Sequence, residues 1–191
     1  MRDKSFSQLE SARLRLRRFA AADLAAFVAY RNDPLVARYQ SWETYGEQEA
    51  IEFLRHQADT RPGAPGEWTQ FAVELKATGA LVGDCALHVK ADDARQGEIG
   101  FTLAREYQGR GYAAEAVARL LDHVFAELQL HRVVAITDCE NAASVALLER
   151  LGLRREGHFI QNVWFKGRWG NEYLYAVLAD EWQGSEMMNA K

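Results

Sequence analysis

One segment of the chain combines a strand-like run, a Gly-rich turn and the first turns of a long helix. From residue 98 it reads Glu-Ile-Gly-Phe-Thr-Leu-Ala-Arg-Glu-Tyr-Gln-Gly-Arg-Gly-Tyr-Ala-Ala-Glu-Ala. A turn that begins a helix leaves several backbone N–H groups without intrahelical partners, and the helix dipole adds partial positive charge there. Gly109 and Gly111 allow positive φ and let a ligand approach the main chain closely. The turn is therefore expected to bind a phosphorylated ligand.

Hydrophobic periodicity predicts the elements on either side of this turn. Apolar residues at helical spacing continue from Ala113 to Leu128, and the apolar run at 133–137 is typical of a buried parallel strand. The run at 13–19 alternates arginines with apolar residues, which predicts a half-buried edge strand. Further strands are predicted at 68–75, 81–89, 96–103, 157–165 and 173–179, and further helices from 23 to the break at 32–34, at 46–58 and at 141–150.

The predicted order is β-α-α-β-β-β-α-β-α-β-β, which joins an antiparallel meander to one β-α-β crossover. It predicts an α+β (mixed α/β) fold with a central, mostly antiparallel mixed sheet and flanking helices. With 191 residues, the chain 1–191 is expected to form a single domain whose core extends from about residue 12 to residue 182.

Composition argues against several classes of partner. The net charge of −4 disfavours a nucleic-acid-binding surface, and no apolar run reaches the roughly 18–20 residues of a membrane span. The N-terminus lacks the apolar core of a signal peptide, and two cysteines are too few for a disulfide framework. A cytoplasmic protein is therefore expected. The five histidines are scattered without metal-ligand spacing, so no metal site is predicted.

The Gly-rich turn also fits a second kind of phosphate site. Gly109 to Ala114 satisfies the G-x-G-x-x-A form of the dinucleotide fingerprint, and Asp138 follows the next strand near the place of a ribose-binding acid. In that fingerprint the first glycine directly follows its strand, whereas here 104–108 intervene and several strands precede the turn. The dinucleotide interpretation is therefore the weaker one. A P-loop is excluded because no Gly-Lys-Ser or Gly-Lys-Thr follows.

Two motifs together point to a different phosphorylated ligand. Gln108-Gly-Arg-Gly-Tyr-Ala fits Q/R-x-x-G-x-G/A, and Asn141-Ala-Ala-Ser-Val-Ala-Leu-Leu-Glu-Arg-Leu-Gly-Leu is similar to N-x-x-S/A-x-x-L-x-x-x-x-G-F. These motifs resemble the acetyl-CoA-binding segments of the GNAT superfamily of N-acetyltransferases and cover about 96–157. The run from Glu98 and the pair Asn141 and Ser144 most resemble the branch that acetylates the N-termini of ribosomal proteins (RimJ/RimL-like).

The resemblance implies a GNAT-like fold, acetyl-CoA as co-substrate and a set of residues that bind it. The main chain of the turn would hold the pyrophosphate, and the preceding strand would pair with the pantetheine and polarise the thioester carbonyl. Asn141 either hydrogen-bonds the pantetheine or serves only as a helix N-cap. The implied cofactor-binding residues are Phe101, Thr102, Leu103, Gln108, Gly109, Arg110, Gly111, Tyr112, Ala113 and Asn141.

Two residues are candidates for catalytic proton transfer. Glu98 shares a strand face with Gly100 and Thr102, and it is either a general base for the incoming ammonium or a solvated surface glutamate. Ser144 either supplies or relays a proton to the departing thiolate or is a plain helical serine. Leu148 stands where many members of the family carry a tyrosine acid, so that acid is absent here.

The predicted activity is acetyl transfer from acetyl-CoA to a primary amine by direct attack. The expected acceptor is a protein N-terminal α-amine, with a small-molecule amine such as an aminoglycoside or a polyamine as the alternative. The missing tyrosine keeps open a catalytically silent acyl-CoA-binding module. Monomer and homodimer both remain open. Four aromatic residues would either line an acceptor pocket or pack between the N-terminal helices and the last hairpin: Trp42, Tyr45, Trp164 and Trp169.

Overall fold

The computed structural model describes Phe6 and residues 8–185, so 1–5, 7 and 186–191 of the predicted domain lie outside the described residues. The strands are β1 Gln8–Glu10, β2 Leu14–Arg17, β3 Trp68–Leu75, β4 Ala80–Val89, β5 Gln96–Leu103, β6 Arg132–Asp138, β7 Arg154–Phe165 and β8 Arg168–Leu178. Within the described residues they form one sheet of eight strands in the order β1-β2-β3-β4-β5-β6-β8-β7.

Helices cover both faces of this sheet. They are α1 Leu24–Arg31, α2 Pro34–Ala37, α3 Glu47–Asp59, α4 Tyr112–Ala126 and α5 Ala142–Arg150. Phe71 and Val73 of β3 belong to the hydrophobic cluster beneath α4 and α5, whereas Ala72 between them belongs to the cluster beneath α1 and α3. Alternate residues of β3 thus face opposite sides of the sheet and contribute to two cores. In the described ranges, no helix has both the length and the apolar character needed to cross a membrane.

The pairing of β5 with β6 sets the shape of the molecule. Neighbouring strands pair antiparallel everywhere else in the described sheet. The parallel pair is short, because it ends with Glu98 opposite Val134 although β5 continues to Leu103 and β6 to Asp138. The two strands therefore separate beyond Glu98 and leave a wedge in the sheet. Since α4 connects them in one β-α-β crossover, the predicted mixed α/β fold is confirmed.

The predicted elements differ from the structure mainly at the N-terminal side. The interpretation of 13–19 as an edge strand is wrong, because β1 pairs outside β2. Neither β1 nor the four-residue α2 has a counterpart among the predicted elements, since such short elements show too little periodicity. The arginines of β2 form ion pairs instead of protecting an edge: Arg15 and Arg17 bind the Glu74 carboxylate at 2.6 and 2.5 Å.

Candidate active site

The Gly-rich turn leads into α4 with left-handed backbone at both glycines. Gly109 has a φ of 74°, and Gly111, the N-cap of α4, has a φ of 79°. The N–H of Glu115 donates to the Gly111 carbonyl at 3.1 Å, so the N–H groups of 112–114 have no partner within the helix. Gln108 fixes the turn, because its Nε2 donates to the Leu103 carbonyl at 2.9 Å. The turn therefore presents a fixed array of main-chain donors, as an anion site requires.

A basic residue that sequence reasoning missed, Arg13, lies behind the turn. Its Nη1 donates to the Arg110 carbonyl at 3.0 Å, and its Nε pairs with Glu115 at 2.6 Å. The guanidinium carbon also lies 4.5 Å from the centre of the Tyr112 ring. These contacts brace the first turn of α4 against the start of β2. Arg13 is distant in sequence from the turn, and only the packing of α4 on β2 brings the two together.

A cleft of about 450 Å³ opens in front of the turn, and we name it the turn cleft. Its walls are the end of β5, the Gly-rich turn, α5, and α2 with the segment that follows it. Every residue predicted to bind acetyl-CoA lines this cleft except Arg110, whose exposed guanidinium lies 5.9 Å from the centre of the Tyr107 ring. The predicted residues that line it are Phe101, Thr102, Leu103, Gln108, Gly109, Gly111, Tyr112, Ala113 and Asn141.

A smaller cavity of about 160 Å³, named here the wedge cavity, lies where β5 and β6 separate. It adjoins the turn cleft, because the two share lining residues from three parts of the chain: Tyr39, Gln40, Phe101, Asn141 and Ser144. The rest of its lining comes from β5, β6 and α5, with Val163 and Phe165 of β7 and Glu172 of β8. The gap in the sheet thus joins the turn cleft to a second compartment.

Asn141 and Ser144 lie at the junction of the turn cleft and the wedge cavity. Asn141 is the N-cap of α5, and its Oδ1 accepts a hydrogen bond from the Ser144 N–H at 3.2 Å. The capping interpretation of Asn141 is therefore confirmed, while its position in the lining of both cavities also allows contact with a ligand. Ser144 is half-buried one turn into the helix.

Glu98 lies one position before Ile99, the first β5 residue that lines the wedge cavity, and lines neither cavity itself. Its side chain is half-buried on the sheet face opposite Ile99. Burial raises the pKa of Glu98, the positive charge of His88 opposes this rise, and the negative charge of Glu172 adds to it. A carboxyl group with a raised pKa suits proton transfer near neutral pH better than a fully solvated one.

The segment between α2 and α3 forms a wall of the site that sequence reasoning missed. Tyr39 and Gln40 line both cavities. The Tyr39 hydroxyl donates to the Glu140 carbonyl at 3.0 Å, and Lys166 Nζ donates to the Trp42 carbonyl at 2.8 Å. These bonds fasten the segment to the turn before α5 and to the β7-β8 hairpin. Since the segment has no regular periodicity, only its aromatic content could have indicated it.

The four aromatic residues singled out in the sequence divide into two pairs. Trp42 and Tyr45 surround the buried guanidinium of Arg31, which lies 3.8 Å from the centre of the Trp42 ring, so packing is the right interpretation for them. Trp164 and Trp169 contact each other across the hairpin, with ring centres 5.5 Å apart. This second pair is 61% and 55% exposed, so the packing interpretation is wrong for it, and since it lines neither cavity, a role at the acceptor stays a prediction.

Comparison with known proteins identifies the family. A sequence model of the domain described as "Acetyltransferase (GNAT) domain" matches residues 13–154. The chain belongs to the GNAT acetyltransferase family. The GNAT N-acetyltransferase that the two motifs predict is therefore confirmed.

Relatives and solved structures of the GNAT family agree with this assignment. YnaD of Bacillus subtilis (strain 168), named an uncharacterized N-acetyltransferase, is 32% identical over 174 residues, which cover 91% of this chain and 98% of YnaD. A GNAT-family acetyltransferase from Bacillus anthracis matches with a TM-score of 0.83 and 30% identity, over 91% of this chain and 99% of that one. Mycobacterium smegmatis RimJ in complex with CoA-disulfide matches with a TM-score of 0.78 and 27% identity, over 92% and 86% of the two chains.

One departure from the GNAT pattern lies inside the site. Leu148, at the position of the tyrosine acid of many GNAT enzymes, is 1% exposed and lines the wedge cavity. Other tyrosines approach from different elements, since Tyr39, Tyr107 and Tyr112 line the turn cleft. Among the residues that the structure describes, no group of three or more His, Cys, Asp or Glu side chains could hold a metal ion.

Proposed function

We propose that this GNAT enzyme transfers an acetyl group from acetyl-CoA to a primary amine that attacks the thioester directly. The observation that carries the proposal is the wedge between β5 and β6, which begins beyond Glu98 and lies beside the Gly-rich turn. An array of anion-binding N–H groups, an open strand edge and a second cavity adjoin one another there. A two-substrate transfer needs these three features.

The residues of the turn cleft fit the parts of acetyl-CoA in turn. The N–H groups of 112–114 and the positive end of α4 would hold the pyrophosphate, with about 1 kcal/mol from the helix dipole. β5 pairs with β4 along one edge, but its other edge has no strand partner beyond Glu98. The main chain of Phe101–Leu103 is therefore free to pair with the pantetheine except at the Leu103 carbonyl, which accepts the bond from Gln108 Nε2. The Asn141 amide would add a bond through Nδ2, because its Oδ1 already caps α5.

The chain's own residues can carry the proton transfers. Glu98 would accept a proton from the incoming ammonium through a water molecule, since its side chain lies outside the cavity lining. A main-chain N–H on the open edge of β5 would polarise the thioester carbonyl. Ser144 borders both cavities and would hydrogen-bond the departing sulfur or relay a proton to it. Since Leu148 offers no proton, water would complete that step.

The proposed acceptor is the α-amine of a protein N-terminus. The motifs around Glu98 and Asn141, which resemble the branch that acetylates ribosomal N-termini, support this acceptor, and the similarity to RimJ agrees with it. A small-molecule amine, such as an aminoglycoside or a polyamine, is the alternative, which two carboxylates in the wedge cavity favour.

Cys85 and Cys139 are free thiols, which supports a cytoplasmic location for the reaction.

Thiol release from acetyl-CoA in the presence of a panel of amines tests the proposal. The panel contains one peptide with a free and with a blocked N-terminus, spermidine and an aminoglycoside. Release with the free peptide alone supports the proposed acceptor, and release with the small amines alone supports the alternative. Binding of acetyl-CoA without release over the whole panel would identify a silent acyl-CoA-binding module. If neither acetyl-CoA nor CoA raised the Tm, the proposed donor site would be wrong.

A further inference from the structure

The wedge cavity has a strongly one-sided charge. Asp138 of β6 and Glu172 of β8 are the charged residues in its lining, and both are acids. They lie opposite each other in the sheet, where the two strands pair in register. A small cavity with two carboxylates and no basic side chain in its lining attracts cations and repels anions.

A distortion of β7 fixes the Glu172 carboxylate. Phe159 pairs with Glu172 and Val163 with Gly170, so β7 carries two extra residues between these pairs. Gln161, within this bulge, has a φ of 48°. The bulge brings Asn162 to the carboxylate, and its Nδ2 donates to Glu172 Oε2 at 2.5 Å. Bulges of this kind commonly aim a side chain at a functional site.

In the described part of the chain, Glu172 has no basic partner, unlike Glu140 and Glu156. Within the described residues no lysine, arginine or histidine forms an ion pair with it, whereas Glu140 is paired with Arg168 and Glu156 with Arg132. One oxygen of Asp138 accepts the Glu140 N–H at 2.7 Å and so belongs to its own turn. A half-buried carboxylate without a counter-charge is costly, and a bound cation offsets that cost.

We propose that Glu172, held by Asn162, is the residue that determines acceptor specificity by binding the ammonium group of the acceptor. The inference rests on the proposed acetyl transfer and names its substrate class: primary ammonium cations with no carboxylate beside the amine. Peptide N-termini and alkyl amines belong to this class, and free amino acids do not. Glu172 holds the amine as it arrives, and Glu98 remains available to take its proton.

The acceptors chosen for the test differ only in the group beside the amine. Alanine amide presents an ammonium next to a neutral amide, and free alanine presents it next to a carboxylate. Because that carboxylate would lie among like charges, the wild type should prefer alanine amide in kcat/KM by about tenfold or more. In Glu172→Gln the kcat/KM for alanine amide should fall by about tenfold, as expected for the loss of a charged hydrogen-bond partner, while the KM for acetyl-CoA stays unchanged.

Two further variants separate recognition from folding. Glu67→Gln removes the same charge from an exposed residue outside both cavities and should retain the wild-type preference. Asn162→Ala keeps the charge but frees the carboxylate, so it should weaken the preference less than Glu172→Gln does. If Glu172→Gln lowered the rates for alanine amide and alanine equally, or left the preference intact, the inference would be overturned.

Binding to the CoA-loaded protein separates this inference from the proposed function. If the wild type acetylated no amine at all, the proposed function would fail, and calorimetry would still compare alanine amide with alanine on the CoA complex. A preference for the amide that Glu172→Gln abolishes would support cation recognition by Glu172 even then. Equal binding of both compounds by the wild type would overturn it.

Discussion

The turn cleft and the wedge cavity adjoin each other but are built from different parts of the chain. The turn cleft takes its free N–H groups and its open strand edge from the main chain of one continuous stretch, 99–114. The wedge cavity takes side chains from four strands, from α5 and from the segment that follows α2. Backbone conformation therefore governs the first compartment, and side-chain charge and size govern the second.

This difference fits the two substrates of the proposed reaction. A main-chain array recognises phosphate and amide groups, which are the same in every molecule of acetyl-CoA, and it needs no particular side chain beyond the glycines. Acceptor amines differ in the chemical groups beside the amine. Side chains such as Glu172 can distinguish these groups. Substitutions in the two compartments should consequently separate donor binding from acceptor selection.

The largest expected effect is on donor binding, in Gly111→Val. At a φ of 79° a β-branched residue is strained, and a Cβ there would lie 3.3 Å from Arg13 Nη2. Relief of that strain would change the backbone conformation of the turn, and the N–H groups of 112–114 would no longer point to one common site. We expect acetyl-CoA affinity, measured by calorimetry, to fall about 150-fold, which corresponds to about 3 kcal/mol.

Gly79→Val is the matched control for this substitution. Gly79 has a φ of 71° in the turn between β3 and β4, and a Cβ there would meet no atom within 4 Å. It should therefore lower the Tm through similar backbone strain and leave acetyl-CoA affinity unchanged. Retained affinity in Gly111→Val, or an equal loss in both variants, would remove the turn from the phosphate site.

The same difference explains how much of the site could be predicted from the sequence. Gly109, Gly111 and Asn141 belong to local patterns in which a turn or cap requires a particular residue type, so their positions were predictable. Glu172 carries no such local signal. Its role depends on the bulge at Gln161, on the separation of β5 from β6, and on register across three strands.

Tyr39 and Arg13 were missed for the same physical reason. Tyr39 reaches the site because its segment is fastened to the Glu140 carbonyl, about a hundred residues later in the chain. Arg13 reaches the turn because α4 packs on β2. Neither long-range contact leaves a periodic pattern in the sequence, whereas strands and helices do. The fold was therefore predicted more completely than the wedge cavity.

The second expected effect concerns catalysis, in Glu98→Gln. Glutamine keeps the size of the side chain but cannot accept a proton, so kcat at neutral pH should fall about 100-fold if Glu98 is the general base. Acetyl-CoA affinity should stay within about twofold, because Glu98 lies outside the turn cleft. Steady-state kinetics with a saturating acceptor measures both quantities. An unaltered kcat would exclude Glu98 from the mechanism.

A smaller effect is expected from Gly100→Ala, which adds one methyl group beside the wedge cavity. A Cβ at Gly100 would meet only the Ala86 Cβ, at 3.8 Å, so the fold should accept it and the Tm should not fall. The methyl group would take space from the acceptor, which should lower kcat/KM for the acceptor about tenfold and leave the KM for acetyl-CoA unchanged. Equal kcat/KM in the variant and the wild type would show that acceptors bind elsewhere.

The smallest expected effect is a shift in the pH dependence of kcat. The direction of this shift should depend on which charged neighbour of Glu98 is replaced. The charged groups that face Glu98 are His88 of β4, Lys90 just after β4 and Glu172 of β8, while its β6 neighbour is Val134. As a base, Glu98 acts when deprotonated, so kcat should fall as the pH drops through its raised pKa. Since the charge of Glu172 contributes to that rise, Glu172→Gln should lower the pKa of Glu98 and move the acidic limb to lower pH.

His88→Gln should move the same limb in the opposite direction. The positive charge of His88 favours the ionised form of Glu98, so its removal should raise the pKa of Glu98 further and shift the limb to higher pH. The measurement is the position of the acidic limb of kcat in each variant, which is independent of how far the absolute rate has fallen. Opposite shifts would show that Glu98 is the titrating group and that the wedge cavity controls its proton affinity. Shifts in the same direction, or an unmoved limb in both variants, would assign the titration to another group and leave the wedge cavity a role in binding alone.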